Sequence, residues 1–244
     1  MIRLIIICIC IIPFVIVAFP LLGIEWLIGK INKRAQDISS LRFVRFICRL
    51  ILWLSGTKMT VIGKENIPDE AALFVANHRS IFDIFVMYAN AKDLTGFVAK
   101  NSLEKIPFIR TWMRRMYCLF LDRDDVRQGL QIILEAIQYA KDGISIAIFP
   151  EGTRNKEDAL TLLPFKEGSF KIALKSGRPI VPVAIYYDAP VFEDHVPWIK
   201  KNKVIVEYLA PIYTDRLDKE EKKGIGAKCQ ELVQETLRKN ANSL

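Results

Sequence analysis

The sequence predicts an α/β fold, a mostly parallel sheet flanked by helices, preceded by an N-terminal membrane-embedded helical segment. From Met59 onward, short apolar runs alternate with helix-period patterns, the signature of strands linked by crossover helices. Before that, Leu4 to Ile24 runs 21 residues without Asp, Glu, Lys, Arg or His. At 244 residues and 51% hydrophobic composition, the chain has the size of one catalytic domain plus such a segment.

At about 1.5 Å per residue the apolar segment is about 32 Å long as a helix, against a hydrocarbon core of about 30 Å. A cleaved signal peptide would have a shorter apolar part, a more basic start than the lone Arg3, and a small-x-small site, which is not evident. Pro13, Pro20 and Gly23 argue against a straight rod, so crossing the bilayer and dipping into one leaflet both fit. Residues 30–58 carry Lys30, Lys33, Arg34, Arg42, Arg45, Arg49 and Lys58 against Asp37, which is +6 of the formal net charge of +8. A basic flank at this point places the rest of the chain on the cytoplasmic side and suits an anionic phospholipid surface, with no nucleic acid as partner. Within it, Arg42, Arg45 and Arg49 form one stripe on an otherwise apolar helix over 41–54. That pattern fits a helix lying in the interface, or a packed helix whose arginines reach outward. Five cysteines, an odd number without metal-ligand spacing, fit a reducing compartment. The domains are then 1–56, anchor and interfacial helix, and 57–244, the α/β domain.

Expected strands are Met59–Ile62, Leu73–Ala76, Gly96–Ala99, Cys118–Leu121, Ile144–Phe149, Ile180–Tyr186 and Val204–Tyr208. Val126, Leu130, Ile133, Leu134 and Ile137 recur on one helical face, with Gly143 at the C-cap. A last amphipathic helix turns Ile225, Cys229, Leu232, Val233 and Thr236 inward. Sites in such folds lie where strands run out into loops.

There is no G-x-S-x-G elbow, H-E-x-x-H or P-loop, and the chain has two histidines, His78 and His195. A three-histidine zinc site is excluded within one chain, and the choice of an imidazole base nearly makes itself. His78 follows the run Leu73–Ala76 in Asn77-His78-Arg79-Ser80-Ile81-Phe82-Asp83. On one continuous helix, residues five apart would point about 140° apart. A turn between them, with a helix starting near Ser80, lets Asp83 reach back and orient the imidazole. The same Ser80-x-x-Asp83 spacing also reads as a helix cap with no further role. His195, flanked by Glu193 and Asp194, reads as a surface loop residue.

A second cluster, Phe149-Pro150-Glu151-Gly152-Thr153-Arg154-Asn155, follows an expected strand. Proline ends the strand, glycine permits close backbone approach, and arginine offers a planar fork for phosphate. Arg123 ends another strand, where it could meet a second phosphate oxygen or pair with Asp124 or Asp125. Each is also readable as a plain solvated turn.

Taken together and in order, these blocks resemble the 1-acylglycerol-3-phosphate (lysophosphatidate) acyltransferase family. Its N-H-x-x-x-x-D block is matched by Asn77, His78 and Asp83, and its F-P-E-G-T-R block by Phe149 to Arg154 at all six positions. The second block is matched by Tyr117 to Arg123, with Tyr117 where glycine is usual. Ile180-Val181-Pro182-Val183-Ala184 matches the fourth, and Lys100 to Pro107 the segment between the first two. The resemblance covers about residues 59–187.

It implies transfer of an acyl group from acyl-CoA or acyl carrier protein to the sn-2 hydroxyl of lysophosphatidate, with neither metal nor resident cofactor. His78 would be the base and Asp83 its orienting partner. Arg123, Arg154 and Lys100 would hold the acceptor phosphate, while Glu151, Gly152 and Thr153 shape the acceptor site, Glu151 contacting hydroxyls. Three alternatives stand beside it: an acyltransferase for another lysolipid, a metal-dependent phosphohydrolase using His78 and Asp83 as ligands, and a non-catalytic membrane lipid-binding protein.

Overall fold

The computed structural model describes residues 2–123 and 125–243. They fall into two compact units. One comprises the segment ending at Met59, Ser80–Leu94 and Tyr187–Val204; the other comprises Thr60–Arg79, Thr95–Tyr186 and the segment from Ile205.

In the first unit, α1 (Ile2–Ile31) and α2 (Lys33–Ser55) form an antiparallel hairpin. Arg3 donates to the Ser55 carbonyl (2.9 Å), Phe14 meets Phe46 (5.6 Å), and Ser40 donates to the fully buried Glu25 (2.7 Å). Asn32 caps α2 by accepting the Ala35 N–H, so α2 begins well before the 41–54 stretch singled out in the sequence. Arg3–Ile31 is long and apolar enough to cross a membrane, and Ile9, Ile12, Ile16 and Phe19 are exposed along it. The helix α2 buries Leu41, Cys48, Ile51 and Leu52 against α1 and α3 (Phe82–Asn90). Its arginine stripe divides accordingly. Arg42 is exposed and Arg45 half-buried, while Arg49 donates from Nε to the Ala89 carbonyl at the end of α3 (3.1 Å). Burial and the neighbouring Arg49 charge pull Arg45 below its ordinary value.

Among the described residues, β1 (Lys58–Ile62), β2 (Leu73–Ala76), β3 (Thr95–Lys100), β4 (Leu119–Leu121), β5 (Ser145–Ile148), β6 (Ile180–Tyr186) and β7 (Lys203–Tyr208) form one sheet of order β1-β7-β6-β2-β5-β3-β4. From β6 to β4 all pairings are parallel, and β7 joins β6 antiparallel. Every residue of β2 and β5 is buried, which is why they read as near-continuous apolar runs; the one polar side chain, Ser145, accepts the Ala72 N–H (3.1 Å).

In the second unit, Leu73, Val75, Ile146, Ile148 and Ile180 pack with Ala136 and Ala140 of α5 (Val126–Lys141) and Ile172 and Ala173 of α6 (Lys171–Ser176). Ile225 and Cys229 of α8 (Ile225–Ala241) complete this core. The short α4 (Pro107–Arg115) and α7 (Lys219–Lys223) were not expected: α7 is charged throughout, and the apolar face of α4, with Phe108, Ile109, Trp112 and Met113, is only about two turns long.

Two strands are shorter than the apolar runs suggested, because their outer residues close helices instead of joining the ladder. The Cys118 N–H goes to the Met113 carbonyl behind α4, and the Ile144 N–H to the Tyr139 carbonyl behind α5. Immediately before Cys118, Tyr117 sits at φ +57°, a left-handed backbone that costs an L-residue about 1–2 kcal/mol. The glycine usual at this position in the resembled family is thus explained by conformation. Space is tight as well, since a Cβ on Gly96 would lie 2.2 Å from the Tyr117 carbonyl oxygen. Tyr117 gains an edge-to-face contact with Tyr139 (5.2 Å, 83°), worth about 0.5–1.5 kcal/mol. Tyr117→Gly, which loses the ring but relieves the strain, should therefore stay within about 1 kcal/mol of wild type, whereas Tyr117→Ala loses the ring and keeps the strain. Thermal unfolding in detergent should rank Tyr117→Ala clearly below Tyr117→Gly; the reverse order would contradict the backbone account.

Candidate active site

Adjacent parallel strands deliver their C-terminal ends to one edge of a sheet. Val75 pairs with Ile148 and Lys100 with Leu121, so the residues after β2, β5, β3 and β4 emerge there side by side. That edge carries His78, the loop from Phe149 to Asn155, Lys100 and Arg123 in spatial order. At about 4.8 Å per strand, the β2 and β4 ends lie about 14 Å apart.

His78 is held by its backbone on both sides. Its N–H donates to Glu151 Oε1 (2.7 Å), and its carbonyl accepts the Asn155 N–H (2.7 Å). The imidazole, half-buried, stacks on the Phe149 ring at 4.1 Å and 16°, and Phe97 lies 6.1 Å beyond Phe149. Asn77, fully buried, donates to the Ile185 carbonyl and accepts the Ile185 N–H, both at 2.8 Å. This amide extends the β2–β6 ladder by one residue and so fixes where the chain leaves the sheet. Phe149 and Asn77 have roles that spacing alone did not reveal; a ring directly after a buried strand and an amide beside the histidine were the available signals.

Glu151, buried, offers its second oxygen to the Leu163 N–H (3.0 Å). Its carboxyl therefore staples two backbone segments. Burial pushes Glu151 above its ordinary value, and the two backbone N–H groups and the His78 and Arg79 charges pull the other way without cancelling it. Gly152, at φ +73°, serves a tight loop in which a Cβ would sit 2.6 Å from Lys166 Nζ. Lys166 was not among the expected site residues, having no motif around it. Thr153 and Arg154 are exposed beyond this turn, as are Lys100 and Arg123 at their strand ends. Asp125 caps α5 by accepting the Gln128 N–H (3.0 Å), and Asp124 lies outside the described residues.

In the first unit, the fully buried Asp83 occupies the first turn of α3, and its Oδ2 accepts the Ser80 N–H (2.9 Å). The capping role is thus realised. Glu193 adds a second anchor, accepting from Ser80 Oγ (2.5 Å) and from the Ile81 N–H (2.8 Å). His195 follows it in a short 3-10 turn, half-buried. Among the described residues, no group of three or more His, Cys, Asp or Glu is arranged to hold a metal ion.

A histidine braced at the carboxyl edge of a parallel sheet, with cationic loops beside it, suits proton transfer next to an anionic substrate. Residues 58–186 match the family model described as Acyltransferase, and the chain belongs to the acyltransferase family. The 1-acyl-sn-glycerol-3-phosphate acyltransferase of Saccharomyces cerevisiae is 30% identical over 213 residues, 87% of this chain and 69% of that protein. The protein of the same name from Borreliella burgdorferi is 36% identical over 144 residues, 59% of this chain and 57% of that one. The crystal structure of the 1-acyl-sn-glycerophosphate (LPA) acyltransferase PlsC from Thermotoga maritima aligns with a TM-score of 0.77 at 25% identity, over 90% of this chain and 88% of that chain.

The staple makes a stability prediction. Glu151→Gln keeps the shape but offers one acceptor for two buried N–H groups, at a cost of about 1–3 kcal/mol. Thr153→Ala, exposed in the same loop, should change stability by less than about 0.5 kcal/mol. Equal thermal unfolding midpoints for the two variants would contradict the staple.

Proposed function

We propose that this enzyme transfers a fatty acyl group from acyl-CoA or acyl carrier protein to the sn-2 hydroxyl of 1-acylglycerol-3-phosphate, giving phosphatidate for phospholipid synthesis. The observation that carries this reading is the placement of His78, gripped by the F-P-E-G-T-R loop at an edge where Lys100, Arg123 and Arg154 also emerge. The printed names of the relatives supply the acceptor.

In this mechanism the sn-2 oxygen attacks the thioester carbonyl carbon while the imidazole of His78 takes its proton. The tetrahedral intermediate collapses, the C–S bond breaks, and the imidazolium returns the proton to the departing sulfur, giving a free thiol. No bond to the enzyme forms. Asp83, five residues on, is proposed to orient the imidazole and stabilise its cationic form. Arg123, Arg154 and Lys100 hold the phosphate, with Thr153 donating a hydroxyl; Gly152 lets the backbone approach, and Lys166 adds positive charge beside it.

The acceptor's acyl chain stays in the bilayer, which avoids a withdrawal cost of about 0.8 kcal/mol per methylene. The α1–α2 hairpin supports embedding in one leaflet on the cytoplasmic side. Were α1 to cross fully, its antiparallel partner would go with it, and basic residues at mid-bilayer cost about 2.5–3.5 kcal/mol each. Arg45, beside Phe46 where it meets Phe14 at the middle of α1, and Arg49, bonded to Ala89, would be among them.

His78→Ala should slow acyl transfer by about 10²–10⁴-fold with the fold retained. Arg154→Lys, which keeps charge but loses the fork, should raise the acceptor KM more than the donor KM. Both are measured with a lysolipid panel in mixed micelles. Near-wild-type turnover of His78→Ala sinks the base assignment, and preference for a lysolipid without a phosphomonoester sinks the acceptor assignment.

A further inference from the structure

Apolar side chains stand exposed at the sheet edge that carries the site. Lys100 pairs with Leu121, and Asn101 donates to Asp122 (3.5 Å), so the segments that follow β3 and β4 leave the sheet side by side. After β3 come a 3-10 turn over Asn101–Lys105, then Ile106 and the start of α4; after β4 come Arg123, the Asp125 cap and the start of α5. Here Ile106 is 45% exposed, Ile109 37% and Val126 86%, and Leu130, one turn further along α5, is 60% exposed. Large apolar groups thus face water in the first turns of two neighbouring helices.

The charge around them is mostly of one sign. From Lys100 to Arg127 the chain carries seven Lys and Arg against four Asp and Glu, so the segment is cationic. Three of the acids have tasks within the chain: Glu104 accepts from Arg114 (2.5 Å), Asp122 from Asn101, and Asp125 from the Gln128 N–H. Lys105, Arg123 and Arg127 are exposed among the apolar tips. A second copy seated here through a two-fold contact would set these cations against their own equivalents. An anionic bilayer surface meets both features at once, with headgroups for the cations and the acyl boundary for the apolar tips.

We infer that this rim, with Ile106, Ile109 and Val126 as its tips and Lys105 and Arg127 beside them, is a membrane contact additional to the α1–α2 hairpin. Lys100 and Arg123 stand on the same rim, so a lipid phosphate meets them at headgroup level. That consequence for turnover rests on the acceptor reading proposed above; the contact itself does not.

The test uses the full chain in vesicles of phosphatidylcholine mixed with phosphatidylglycerol. A nitroxide is attached at Val126→Cys or, for comparison, at Lys175→Cys, exposed near the end of α6, each with Cys8→Ser and Cys10→Ser because the other cysteines are buried. The label at position 126 should be relaxed by oxygen, which concentrates in the bilayer, and shielded from a water-soluble nickel chelate; the label at position 175 should stay open to the chelate. Equal chelate access at both positions overturns the contact. Dipolar broadening at position 126 overturns it as well, by placing a second copy there. For turnover, Ile106→Ser, Ile109→Ser and Val126→Ser are combined. KM for a long-chain lysophosphatidate in the vesicle should rise about 10-fold, with kcat/KM for a short-chain, water-soluble lysophosphatidate within about twofold of wild type. Lys105→Gln with Arg127→Gln should weaken the dependence of rate on phosphatidylglycerol. An unchanged vesicle KM, or an equal loss on both acceptors, overturns the rim's role, and a rise confined to the KM for acyl carrier protein makes it a protein-docking surface instead. If the wild type acylates neither lysophosphatidate, the acceptor reading falls, while the labels still decide the contact.

Discussion

The His78 backbone is gripped by the loop of the neighbouring strand, its N–H by the Glu151 carboxyl and its carbonyl by the Asn155 N–H. Both contacts are made by the backbone, not the imidazole. The grip depends on parallel pairing in register: with Val75 opposite Ile148, the residues two or three places beyond each strand meet. Slipping β5 by one residue would turn Glu151 away, since successive side chains along an extended chain point to opposite faces. The sheet core, the Asn77–Ile185 bonds and the turn at Gly152 all serve to keep that register.

Holding Glu151 there has a cost, because a buried carboxyl is disfavoured as an ion. Two backbone donors offset part of it, and the upward push that remains marks a group kept for geometry at some expense in stability. Asp83, buried in the first turn of α3 and accepting the Ser80 N–H, is a second buried acid that holds a backbone segment in place. The exposed arginines and lysines of the strand ends do not carry that burial cost, as suits the phosphate-holding role proposed for them.

The sheet was legible in the sequence because its central strands are buried on both faces and read as near-continuous apolar runs, broken only by Ser145 in β5. The site's position followed from the blocks after those runs, but its internal wiring did not. Glu151 reads as a ligand for substrate in sequence, and only the meeting of β2 with β5 makes it a brace for His78. Phe149 reads as the end of a strand until the His78 ring is found stacked on it. The arginine stripe of α2 was correctly seen as one face of a helix, whereas its partial use in packing against α3 depended on a neighbour 40 residues away in the chain.

The claim that Glu151 works through His78 is tested most directly by a double-mutant cycle on kcat for acyl transfer, using His78→Ala, Glu151→Gln and the pair together. A brace has nothing left to support once the base is gone. The double variant should therefore be no slower than His78→Ala alone, within about threefold, although Glu151→Gln by itself is slow. If the two losses multiply instead, Glu151 acts on the substrate independently of His78, and it is not a brace for the base.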